Sequence, residues 1–95
     1  MYNNKYKMEM EVINTWDDNN NEASKRPKSV TLQVKLDGKV VREAKVSKKD
    51  EWRHVFELPK YDELGNEIEY TVDIKETEKY YKKRIEEATI INTYI

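Results

Sequence analysis

The chain has 95 residues, enough for one self-folding domain over 1–95 without a metal or disulfide staple. It has no cysteine, which excludes a disulfide framework, a thiol nucleophile and a cysteine-ligated metal. Charged residues make up 39% of it, yet 18 Lys plus Arg against 19 Asp plus Glu leave a net charge of -1, which gives no electrostatic footprint for nucleic acid.

No apolar run approaches the roughly 20 residues that insert across a bilayer. The chain shows neither an export signal nor a sorting motif, so an exported parent would make it a segment of that parent. Residues 1–5 read as a frayed end or a cloning remnant. From Tyr6 to Trp16 the pattern alternates at period two. Tyr6, Met8, Met10, Val12, Asn14 and Trp16 share one face, and Lys7, Glu9, Glu11, Ile13 and Thr15 share the other. That is the signal of a strand. Asn14 interrupts the apolar face, and a buried amide there needs hydrogen-bond partners.

The stretch from Trp16 to Pro27 is too polar for a core. It is also too rich in Asn and Asp for regular structure, because these side chains bond their own backbone in turns. It reads as the first corner of an all-β domain. Val30, Leu32, Val34 and Leu36 then alternate as a second strand, Asp37-Gly38 supplies a tight turn, and Lys39 to Val46 returns as its hairpin partner. Ser47 to Glu51 is a charged loop. Trp52, His54, Phe56 and Leu58 mark a fourth strand that Pro59 ends, and Ile68, Tyr70, Val72 and Ile74 mark a fifth. Over 75–88 the local signal is divided. Ile74, Thr77, Tyr81, Ile85 and Ala88 fall at helical spacing, while Tyr80 to Ile85 also alternates as a strand. Ile90, Asn92 and Tyr94 alternate in the last segment. Seven short segments with turns between them predict a two-sheet sandwich.

Catalytic and metal chemistry finds little support. Asp17, Asn19 and Asn21 stand at alternate positions, but a calcium loop of the EF-hand kind needs Gly where Glu22 stands and Glu where Lys28 stands. His54 is the single histidine, and one histidine makes no zinc site without other ligands. A packed or half-exposed structural role is expected for it. The seven tyrosines and two tryptophans read as core and sheet-surface residues rather than stacking platforms for sugars or bases. Ser24, Ser29 and Ser47 have no neighbouring base. The chain therefore reads as non-enzymatic, with no cofactor.

Several motifs occur in order: Trp16-Asp17-Asp18, Lys25-Arg26-Pro27, Asp37-Gly38-Lys39, Trp52 with Phe56, and Leu58-Pro59-Lys60-Tyr61-Asp62. Tyr70-Thr71-Val72 and Ile90-Ile91-Asn92-Thr93-Tyr94 follow. From about Met10 to Tyr94 this series resembles the B-type repeats of collagen-adhesin-like surface proteins of Gram-positive bacteria, the Cna B-type domains. The resemblance implies an antiparallel β-sandwich of about seven strands with reversed immunoglobulin, transthyretin-like topology, and it favours strand for Tyr80 to Ile85. It also implies a cell-wall-anchored, extracellular stalk or spacer module whose partners are neighbouring repeats. A module that itself contacts a host matrix protein is the alternative.

Many domains of that family cross-link themselves: a Lys on the first strand attacks an Asn on the last, while a Glu shuttles protons. Matched to this chain, the three positions hold Asn14, Asn92 and Ile74. An amide is no useful nucleophile and an alkyl chain moves no protons, so no isopeptide bond is expected. The amides of Asn14 and Asn92 are instead expected to lie close together. The fold is then expected to depend on Trp16, Leu32, Trp52, Phe56, Tyr70 and Val72.

Overall fold

The structure, a computed structural model, describes residues 7–22, 24–75 and 80–95. The expectation for residues 1–5 falls outside these. Among the described residues the chain forms seven strands: β1 (Lys7–Asp17), β2 (Ser29–Leu36), β3 (Lys39–Ser47), β4 (Arg53–Pro59), β5 (Thr71–Ile74), β6 (Tyr81–Glu86) and β7 (Thr89–Tyr94). They make two sheets, ordered β4-β1-β7-β6 and β3-β2-β5.

The apolar alternation decides which side of each strand faces inward. Val12 of β1, Val30, Leu32 and Val34 of β2, Val46 of β3, Phe56 and Leu58 of β4, Val72 and Ile74 of β5 and Ile90 of β7 form one buried cluster. Met8, Met10, Trp16, Trp52 and Tyr70 close its margins, half-buried. Of the aromatics expected in the core, only Phe56 is therefore fully inside. Trp16 and Trp52 instead seal the end of the sandwich, with ring centroids 5.1 Å apart and edge to face.

The connections follow from their residues. Asp37 and Gly38 both take positive φ, 52° and 81°, which is the two-residue hairpin turn matched to strand twist. Asn19, Asn20 and Asn21 take φ of 53°, 56° and 63° in succession. Asn is among the few non-glycine residues that visit this region readily, so the asparagine run encodes a left-handed corner. Between β3 and β4 the charged loop contains one 3-10 turn, Lys48–Asp50, where the Asp50 carboxylate accepts the Ser47 N–H at 3.0 Å.

Three expectations need correction. First, the sandwich is not wholly antiparallel, because β1 and β7 pair in parallel, Ile13 opposite Thr89 through Asp17 opposite Thr93. A parallel pair needs a long crossover, and the whole intervening chain supplies it. Second, the fifth strand begins at Thr71 rather than Ile68. The preceding segment folds onto itself through a Tyr61–Glu67 bridge and the Ile68 N–H to Lys60 carbonyl bond at 2.9 Å. Third, His54 is exposed on β4, an edge strand of its sheet, with its ring edge-to-face on Phe56 at 4.6 Å. Tyr81–Glu86 is a strand, which resolves the divided signal there. Thr77 lies outside the described residues.

Candidate functional site

Two polar centres interrupt the apolar interior, and both join β1 to the C-terminal strands. The first is made by Asn14 and Asn92. In the parallel ladder Asn92 stands opposite Trp16, so Asn14, two residues earlier on the same face, lies diagonally next to it. Asn14 is 3% exposed and Asn92 0%. The Asn92 Nδ2 amide donates to the Thr15 carbonyl at 2.9 Å and to Asn14 Oδ1 at 2.5 Å. The Thr15 carbonyl can only accept, so it dictates which way the Asn92 amide points, and that in turn orients Asn14. Asn14 Nδ2 and Asn92 Oδ1 are left buried with no hydrogen-bond partner among the described residues. Such orphans each cost about 1–3 kcal/mol.

Ile74, the third matched position, is 2% exposed on β5 in the opposing sheet. It packs in the same cluster as Val12 and Ile90, which flank the two amides along their strands. Asn14 and Asn92 are thus brought into contact, while Ile74 belongs to the apolar cluster and offers hydrocarbon only. No amine and no carboxyl stands among these three residues.

The second centre forms directly after β1 ends at Asp17. Asp18 is buried, and every polar direction of its carboxylate is used. Arg26 grips it through Nε at 2.7 Å and one terminal nitrogen at 2.6 Å, a two-pronged contact. The Tyr81 hydroxyl donates at 2.7 Å from β6, and the Asn21 N–H donates at 3.0 Å across the left-handed corner. Trp16 packs on both Arg26, 5.4 Å from guanidinium carbon to ring centre, and Tyr81, at 4.9 Å. The Arg26 hydrogen bonds hold the Asp18 carboxyl down at about 2, well below the ordinary carboxylate range, against the opposing pull of burial. Burial, and then the bond to Asp18, push the Tyr81 phenol up to about 12.

Sequence reasoning did not find this cluster. Its signal was present in Asp18 and Arg26, opposite charges at either end of a turn-rich loop, but nothing local ties Tyr81 to them. A related ion cluster links the two sheets through the same edge strand, β6, where Asp73 of β5 accepts from Lys35 of β2 at 2.8 Å and from Lys83 of β6 at 2.6 Å. Burial opposes ionisation of Asp73, but the two lysines outweigh it and hold the carboxyl at about 2.

Chemically these centres hold strands; none is arranged to activate a nucleophile. Of the three residues weighed as calcium ligands, Asp17, Asn19 and Asn21, Asn19 bonds Glu22 instead. Among the described residues no cluster of three or more His, Asp or Glu could hold a metal ion. Tyr70 fastens a loop, its hydroxyl donating to the Pro59 carbonyl at 2.7 Å.

The fold has relatives among known proteins. The model of the Cna protein B-type domain matches residues 10–93. A collagen adhesin of Staphylococcus aureus is 40% identical over 95 residues, covering 96% of this chain, and the match spans 8% of the adhesin's length. The crystal structure of a single B repeat unit (B1) of the collagen binding surface protein of Staphylococcus aureus superposes with a TM-score of 0.84 at 36% identity. That match covers 93% of this chain and 46% of the repeat unit. Two B repeat units (B1B2) of the same protein give a TM-score of 0.83 at 36% identity, over 92% of this chain and 23% of the pair.

Proposed function

The chain belongs to the Cna protein B-type domain family, and from that premise we propose that it is a non-catalytic stalk or spacer module of a cell-wall-anchored Gram-positive surface adhesin. In this reading it acts outside the cell, in series with neighbouring repeats, and has the reversed immunoglobulin topology of its relatives. The observation that carries the reading is the parallel pairing of β1 with β7. Tension that enters through β1 and leaves through β7 pulls the two strands in opposite directions along their lengths. The hydrogen bonds between them are then loaded together in shear rather than opened one after another. A module held this way transmits load between its ends without needing a ligand.

The module works without the family's internal isopeptide bond, because Asn14 and Ile74 stand where the amine and the acid would be needed. Hydrogen bonds of Asn92 to Asn14 and Thr15 take the place of a covalent tie. The rival reading, direct contact with a host matrix protein, has less support. Of the large exposed apolar side chains, Val40, Val55, Leu64 and Ile85 lie on separate elements, and Tyr80, Tyr94 and Ile95 come together where β6 meets β7.

Intact-mass measurement tests the covalent part. The folded chain should have its full sequence mass, whereas one lost ammonia would overturn the unlinked reading. Asn14→Lys with Ile74→Glu restores an amine and an acid beside the retained amide. Proximity should then drive loss of one ammonia after folding. A folded double variant of unchanged mass would show that these three positions are wrongly matched. Forced unfolding tests the mechanical part: resistance should be greater when load is applied through β1 and β7 than through β1 and β4. Equal resistance in both geometries would remove the shear argument.

A further inference from the structure

The two ends of the sandwich differ in shape and charge, and the strand directions decide which end meets which. β1 begins at one end and β7 finishes at the other, separated by the length of β1, about 36 Å for its eleven residues. In a tandem array the exit end of one copy therefore faces the entry end of the next.

The entry end carries a knob. Residues 60–70 contain Asp62, Glu63, Glu67 and Glu69 against a single Lys60. The Asp62 carboxylate accepts the N–H groups of Leu64 and Asn66 at 2.8 and 2.9 Å, and the Gly65 N–H reaches the Asp62 carbonyl at 3.0 Å. Leu64, at the tip of this braced turn, is 87% exposed, more than any other large apolar side chain among the described residues. Glu63 and Glu67 beside it are also exposed.

The exit end carries a cleft. Asn20, Asn21, Arg26, Pro27, Lys28, Lys48 and Trp52 line a hollow of about 460 Å³ between the first corner and the 3-10 turn. Lys25 and Lys49 are nearby in sequence, and Lys28 and Lys48 make no ion pair among the described residues. Of the two acids on this turn, Asp50 is engaged by the Ser47 N–H. Trp52 takes φ of 59°, an uncommon and strained backbone for a bulky residue. The Trp52–Trp16 contact and the Asn14 N–H to Trp52 carbonyl bond at 2.8 Å hold it there.

We propose that the cleft of one copy receives the Leu64 knob of the copy that follows it, Leu64 against Trp52 and Pro27, with Glu63 and Glu67 against Lys28 and Lys48. The inference rests on the spacer reading and deepens it: the module is one of a docked, stiffened rod rather than of a loose string. A basic cleft facing an acidic knob favours this pairing and disfavours knob against knob or cleft against cleft.

The absence of cysteine makes the test clean. Two whole copies are joined end to end, with Lys49→Cys in the first and Asn66→Cys in the second, which leaves every proposed contact residue in place. Disulfide formation should be at least tenfold faster than in a control pairing Lys45→Cys, exposed on β3, with Asn66→Cys, since docking raises the effective concentration. Lys28→Glu with Lys48→Glu in the first copy should reduce the rate to that of the control. Adding Glu63→Lys with Glu67→Lys in the second copy should restore it. Equal rates for test and control, or charge reversals without effect, would overturn the docked interface. Copies that tumble independently would still space an adhesive head, so that result leaves the stalk reading standing, while a weak β1–β7 shear would strike the mechanical argument for the stalk instead.

Discussion

The amide pair and the Asp18 cluster, with Asn14 on β1 and Asp18 just past its end, fasten the same strand, but they meet the cost of burial differently. Around Asp18 each buried oxygen has a donor, one of them a guanidinium and another a phenol held neutral by the same environment. Around Asn14 and Asn92 two polar atoms have no partner among the described residues. Ionised groups are the more expensive to desolvate, yet here the ionised centre is the better satisfied. Stability should therefore depend far more on the charged cluster than on the amides, and three measurements can break or sharpen that contrast.

Asp18→Ala should have the largest effect. It strips Arg26, with 23% of its side chain exposed, and Tyr81 of their common acceptor. Breaking a buried pair from one side costs about 3–5 kcal/mol, and the partial exposure of Arg26 puts the expected loss near the lower end, about 3 kcal/mol. Urea unfolding reads it as a lowered midpoint at unchanged slope. A change below about 1 kcal/mol would mean the cluster does not lock the corner.

Acid should have the next largest. The unfolded chain protonates Asp18 near its ordinary 3.8, while the folded chain holds the proton off until about 2. The Asp18 contribution is therefore complete above about pH 4 and is lost as pH falls through about 2. The difference corresponds to about 2 kcal/mol. Asp73 should add a loss over the same window and with the same sign. Comparing urea midpoints at pH 7 and pH 2, the parent should lose about 2 kcal/mol more than Asp18→Asn. Equal losses would show that the guanidinium does not depress this carboxyl.

Asn14→Leu should have the smallest effect. It removes one amide and one orphaned donor together, and Asn92 keeps its bond to the Thr15 carbonyl. One neutral hydrogen bond lost against one unpartnered group removed should change stability by about 1 kcal/mol or less. A loss as large as that of Asp18→Ala would mean that the amide pair, and not the ion cluster, is the principal tie between the terminal strands.

Much of this was legible in the chain before folding. Alternation at Val12, Val30, Leu32, Val34, Phe56, Val72 and Ile90 marked strand and inward face, because one side of each strand meets hydrocarbon and the other meets water. The Asn run, Asp37-Gly38 and Pro59 marked where strands stop, since these residues set backbone angles locally. That Asn14 and Ile74 offer neither an amine nor an acid could also be read from the linear sequence, because it is a property of one residue at a time.

Tertiary structure decided the rest. That β1 and β7 run in parallel depends on how some seventy intervening residues wrap two sheets, which no local pattern records. The meeting of Asp18, Arg26 and Tyr81 joins residues 63 positions apart, and each alone looks like an ordinary surface or strand residue. Local propensity left Tyr81–Glu86 between helix and strand; pairing with β7 from Tyr81–Tyr94 to Glu86–Thr89 determined the outcome, because the ladder satisfies backbone groups along both strands at once. Sequence set the faces and the corners through local sterics and hydration, while the partners of each buried charge awaited the closing of the sandwich.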